Sequence, residues 1–162
     1  MTETQPEAEA ALYARLPQRM VPDLERIIDL VDLLGSPQKA FPSIHVTGTN
    51  GKTSTVRMID SLLRAFGLRT GRTTSPHLES IRERICLDGE PLTEEQFAAA
   101  YAEVLPYARI VDSRHADDVT FHEMLHLCGD AVPSEDGIAR HQYAGTEAIR
   151  ELLGMPPLLP RP

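Results

Sequence analysis

The chain carries 162 residues, 24 of them acidic and 16 basic, for a formal charge of −8. That length buries the core of one ordinary domain, and the negative balance excludes a broad nucleic-acid-binding surface, so any nucleotide must be gripped locally. Two cysteines without paired spacing, Cys86 and Cys128, fit a reducing cytosol. With no leader-like start and no stretch of membrane-spanning length, the expectation is a cytoplasmic protein with no membrane partner.

Residues 2–11 are acidic and read as a flexible start. A helix is expected over 23–34, where Leu24, Ile27, Ile28, Val31 and Leu34 form an apolar stripe closed by Gly35. Residues 43–47 are short, β-branched and apolar, which predicts a strand. They lead directly into Gly48-Thr49-Asn50-Gly51-Lys52-Thr53, after which Val56, Ile59, Leu62, Leu63 and Phe66 recur at helical spacing and stop at Gly67.

A glycine-bracketed turn between a strand and a helix lets backbone N–H groups close around a phosphate, where the unpaired amides and the macrodipole both favour negative charge. Gly48, Thr49, Asn50, Gly51, Lys52, Thr53 and Ser54 are therefore the candidate phosphate ligands. Lys52 adds a point charge on the terminal phosphates, and a hydroxyl of Thr53 or Ser54 is placed to reach Mg²⁺. The strict Walker A spacing is not met, because Val46 holds the place of its first glycine.

Residues 68–73 read as the next strand, followed by Thr73-Thr74-Ser75-Pro76-His77-Leu78, then Arg82-Glu83-Arg84-Ile85 and Asp88-Gly89-Glu90-Pro91-Leu92. Ser-Pro starts a turn and Asp-Gly a hairpin. Thr93 and Gln96 form a capping box, with Leu92 and Phe97 as its hydrophobic staple. The helix it opens is expected to run to about Val104, with Phe97, Tyr101 and Val104 in the core. Ile110-Val111 reads as a brief strand and 114–118 as a polar loop.

The segment Val119-Thr120-Phe121-His122-Glu123-Met124-Leu125-His126 supports two readings. Taken alone, His122-Glu123-x-x-His126 is the zinc hydrolase pattern, with both imidazoles on one helical face. Its longer form continues through Gly129 and then fails at Val132; His141 is a distant further ligand without a spacing argument. Beyond Pro133 the expectation is a short helix over 146–153 and a proline-rich, extended end.

The Gly-Thr-Asn-Gly-Lys-Thr loop resembles that of the Mur ligase superfamily of ATP-dependent amide-forming enzymes. Together with Thr-Ser-Pro-His-Leu, Glu-Arg-Ile and Asp-Gly, it resembles folylpolyglutamate synthase and dihydrofolate synthase from about Pro22 to about Leu125. The resemblance implies an α/β, P-loop-type partial parallel sheet flanked by helices. It also implies ATP and Mg²⁺ as cofactors, Ser75 and Glu123 with Thr53 as metal ligands, and Pro76, His77 and Leu78 in a loop bordering nucleotide and pterin. His77 either touches substrate or rigidifies that loop.

The implied chemistry joins glutamate to a dihydropteroate or folate carboxylate through an acyl phosphate, with Lys52 as the catalytic cation. From about Cys128 the resemblance stops, which divides the chain into a flexible segment 1–21, a partial ATP-binding domain 22–128 and a divergent tail 129–162. A truncated domain of this kind would leave apolar surface for self-association or a partner to cover. A non-catalytic nucleotide-binding or interaction module is the rival reading.

Overall fold

The computed structural model of the protein describes residues 4–17, 24–39 and 41–130. Its apolar core is built around α4 (Glu94–Asp112). The helix opens on Thr93, whose hydroxyl accepts from the Gln96 N–H at 3.1 Å while Gln96 Oε1 accepts from the Thr93 N–H at 2.9 Å. Leu92 and Phe97, the expected staple, are both fully buried. Phe97, Tyr101, Val104, Ala108 and Val111 follow at helical spacing and meet α1 (Gln5–Tyr13), α2 (Glu25–Leu33) and α5 (Phe121–Asp130).

Two expectations are corrected here. The helix runs through Pro106 to Asp112, past the end foreseen near Val104, and Val111 is buried within it, not in a strand. Pro106 removes one N–H from the helical ladder, a local cost of about 3 kcal/mol, but it lies on the exposed face, and burial of Leu105, Ala108 and Val111 on the other side offsets it. The segment read as flexible contains α1, capped by Thr4 and Glu7, with Ala8 and Leu12 fully buried four residues apart. Its acidic residues occupy the outer face and hide this short stripe from a composition-based reading.

Arginine side chains close this body. Arg15 grips Asp112 through both terminal nitrogens at 3.2 and 2.8 Å and donates to the Val119 carbonyl at 2.9 Å. In α2, Leu30 is fully buried while Ile28 and the N-cap residue Leu24 are exposed, so the face turned inward is not the whole predicted stripe. The buried Arg26 shares that inner face.

The sheet described is antiparallel: β1 (Gly71–Thr73), β2 (Ile85–Leu87) and β3 (Glu90–Pro91), in that order, with Arg72 opposite Cys86 and Cys86 opposite Pro91. Asp88 and Gly89, with φ of 48° and 91°, make the expected two-residue hairpin between β2 and β3. Residues 43–47, expected as a strand, pair with nothing as a strand, and Ile44 is 56% exposed. A parallel strand forms only beside partners delivered by crossover connections, and none lies among the described residues.

Helix α3 (Lys52–Ala65) ends as predicted: Gly67 has φ of 80° and the Leu68 N–H donates to the Leu63 carbonyl at 3.1 Å. Its apolar stripe is another matter. Leu62 and Phe66 are 61% and 50% exposed, and Asp60 is the one buried residue of the helix.

Candidate nucleotide and metal site

Gly48 and Gly51 adopt φ of 147° and 77°, conformations that strain any residue with a Cβ, and this is what the glycine bracket provides. Gly51 is also the N-cap of α3, where no side chain caps the helix, and residues 48–52 are all exposed. The first-turn amides thus open onto an exposed loop, the arrangement that suits an anion. Lys52 Nζ donates to the Gly48 carbonyl at 2.6 Å and to that of Thr49 at 3.4 Å, lying back across its own loop. Thr53 is half-buried and Ser54 exposed.

What docks this helix is polar. The Thr70 hydroxyl donates to Asp60 Oδ1, and Arg72 Nε stands 3.5 Å from Asp60 Oδ2 with both side chains more than nine-tenths buried. Arg72 also donates to Cys86 Sγ at 3.0 Å. Burial pushes the Cys86 thiol up despite that guanidinium, and full burial pushes Cys128 up to about 12, so neither is a ready nucleophile.

Ser75, Pro76 and Leu78 are exposed in the loop after β1, Leu78 by 87%. His77 is held from two sides: Arg84 Nε donates to its Nδ1 at 2.8 Å, and its Nε2 lies 3.1 Å from Tyr13 Oη. A guanidinium only donates, so the network assigns the imidazole proton to Nε2, facing the tyrosine oxygen. The Glu83 carboxylate accepts from three successive backbone N–H groups, Leu78 at 3.0 Å and Glu79 and Ser80 at 2.8 Å. These bonds hold its carboxyl at about 2.

Glu123 sits in the first turn of α5. It exchanges hydrogen bonds with Thr120, accepting from that N–H at 2.7 Å and returning its own N–H to the hydroxyl at 3.4 Å, and its Oε1 is 3.5 Å from Arg26. His77, two residues after Ser75, and Phe121, two before Glu123, are linked through Arg84, whose guanidinium lies 5.3 Å from the Phe121 ring centroid. Tyr13 stacks on that ring at 5.4 Å. Sequence reasoning missed Tyr13 and Arg84 as partners of the loop; Tyr13 lies in the segment read as flexible, and no local spacing links it to His77.

His122 and His126 are both exposed, and the carboxylate between them turns to Thr120 and Arg26. No group of three or more His, Cys, Asp or Glu placed to hold a metal ion occurs among the described residues, and His141 lies outside them. The zinc pattern therefore gains no support from the geometry.

No protein-family model matches the chain. It is 51% identical over 109 residues to dihydrofolate synthase/folylpolyglutamate synthase of Mycobacterium tuberculosis, covering 67% of this chain and 22% of that protein. The solved structure of M. tuberculosis folylpolyglutamate synthase complexed with ADP superposes with a TM-score of 0.72 at 45% identity, covering 77% of this chain and 28% of that one. A complex of FPGS with AMPPCP and folate gives 0.72 at 34% identity, covering 78% and 31%. The fold is that of the Mur-ligase-like α/β proteins. Within that class the chain belongs with the folylpolyglutamate and dihydrofolate synthases, to whose N-terminal portion it corresponds. It spans about a quarter of the length of the relatives it matches.

Proposed function

We propose that the chain binds ATP at the 48–54 loop and contributes the phosphate-gripping part of an ATP-dependent carbon–nitrogen ligase acting on folates or dihydropteroate with glutamate. The observation that carries this reading is the uncapped, glycine-bracketed start of α3 with Lys52 lying across it, in a chain half identical to such a synthase over the aligned residues. Among the related structures, that of M. tuberculosis folylpolyglutamate synthase is complexed with ADP and another is a complex with AMPPCP and folate.

In this reading the first-turn amides orient the phosphates, and Lys52 leaves the Gly48 and Thr49 carbonyls to follow negative charge as the γ-phosphoryl passes to the substrate carboxylate. The hydroxyls of Ser75 and Thr53 and the Glu123 carboxylate are all oxygen donors, a set that fits Mg²⁺. The cation would neutralise phosphate charge there. Helices α1 to α5 and the β1–β3 sheet form the nucleotide-binding unit, and the location proposed is the cytoplasm. The exposed side chains Met58 and Leu62 of α3 and Phe66 at its C-cap call for cover by a partner or by self-association.

Lys52→Ala removes a charge-assisted contact worth roughly 1.5–3 kcal/mol and should weaken ATP binding by about tenfold or more, with the circular dichroism of the chain unchanged. Unaltered affinity in titration calorimetry would remove the phosphate-loop assignment. Incorporation of labelled glutamate into a folate by the purified chain separates a complete ligase from a nucleotide-binding module that needs another component.

A further inference from the structure

The 74–80 loop is fastened at both ends to one dipeptide. At its start the Thr74 N–H donates to the Arg84 carbonyl at 2.9 Å and the Thr74 hydroxyl to the Glu83 carbonyl at 3.5 Å. At its finish the Glu83 carboxylate gathers the N–H groups of Leu78, Glu79 and Ser80. Between these anchors lie Ser75 and Pro76, both exposed, and His77, pinned by Arg84 and Tyr13.

We infer that Glu83 is a positioning residue: by closing the loop from behind, it presents the Ser75 hydroxyl to the cation that accompanies a bound nucleotide. This rests on the proposed role of Ser75 as a metal ligand and deepens it. The physical case is that three converging N–H dipoles need an anion. Glu83 Oε1 accepts from Glu79 and Ser80 and Oε2 from Leu78, so an amide in place of the carboxylate loses at least the Leu78 bond and sets an NH₂ donor against that N–H. The loop then samples other conformations, and the hydroxyl it carries is delivered less often. The depressed carboxyl pKa keeps Glu83 anionic through any ordinary assay range.

A residue that merely supports the fold would, on substitution, weaken nucleotide binding with and without metal alike. The test measures binding of ADP and of a non-hydrolysable ATP analogue to the whole chain, each with Mg²⁺ and with chelator. The proteins compared are the wild type, Ser75→Ala, Glu83→Gln and the double variant. The expected result is that Glu83→Gln lowers the gain in affinity conferred by Mg²⁺ by about tenfold, the usual scale for an outer-shell partner, with chelator-state affinity unchanged. The double variant should lose no more than Ser75→Ala does, and amide exchange at 78–80 should quicken in Glu83→Gln.

Equal loss in both metal conditions, additive losses in the double variant, or an unchanged Mg²⁺ gain would each overturn the inference. If Ser75→Ala itself leaves the Mg²⁺ gain intact, the metal role of Ser75 fails and this inference falls with it. If Ser75→Ala lowers the gain while Glu83→Gln does not, the positioning role alone is refuted.

Discussion

Helices α3 and α4 are both amphipathic by sequence, yet α4 buries eight of its nineteen residues and α3 buries one of fourteen, an aspartate. In α4 the burial is apolar and continuous, from Phe97 to Val111, against three other helices. In α3 the helix meets β1 through Asp60, Thr70 and Arg72, while Val56, Ile59 and Leu63 are only half-buried and Met58 and Leu62 face outward. The contrast separates two ways of holding a helix: removal of hydrocarbon from water, which is non-directional and additive, and a desolvated charge pair, which is directional and fails when either partner is lost. The helix that follows the candidate phosphate loop is the one held by charge.

The largest effect expected from breaking this comparison comes on the α4 side. Phe97→Ala removes a fully buried ring and should destabilise the chain by about 3–5 kcal/mol in urea denaturation, enough to unfold a marginal domain. Asp60→Ala leaves the Arg72 guanidinium buried against a missing partner, and a loss of about 3 kcal/mol is expected. Hydrogen exchange locates that loss: amides of α3 and β1 should quicken while those of α4 stay protected. Uniform quickening would mean that the two regions are one cooperative unit. The smallest effect is Leu62→Glu, which alters an exposed side chain and should change stability by less than about 0.5 kcal/mol. It should nonetheless reduce any self-association seen by light scattering.

Much of the local structure around the candidate site was legible in the sequence because its signals are local. Gly48 and Gly51, the Asp88-Gly89 turn, the Thr93–Gln96 cap and the Gly67 stop each need only a few neighbouring residues, and each takes the predicted shape. What the sequence hid is long-range. The strand expected over 43–47 depends on partners that pattern alone cannot supply, and the stripe on α3 reports what the helix is able to bury without saying what covers it. The Tyr13–His77 contact joins residues 64 apart, beyond the reach of any periodicity. The helix end expected near Val104 fails for a similar reason, since burial on the other face carries α4 through Pro106 to Asp112.

The bonds made by Arg15 set an order of events during synthesis. Its side chain grips Asp112 and the Val119 carbonyl, 97 and 104 positions later, and its own carbonyl accepts from the Phe121 N–H at 3.0 Å. Helix α1 leaves the ribosome well before the partners of Arg15, which lie 97 and 104 residues further along the chain. At roughly 5–20 residues per second, the nascent chain passes many seconds with Ala8 and Leu12 uncovered. Helix α1 is thus among the last elements to settle, and a chaperone that recognises short apolar stretches has its opening in that interval.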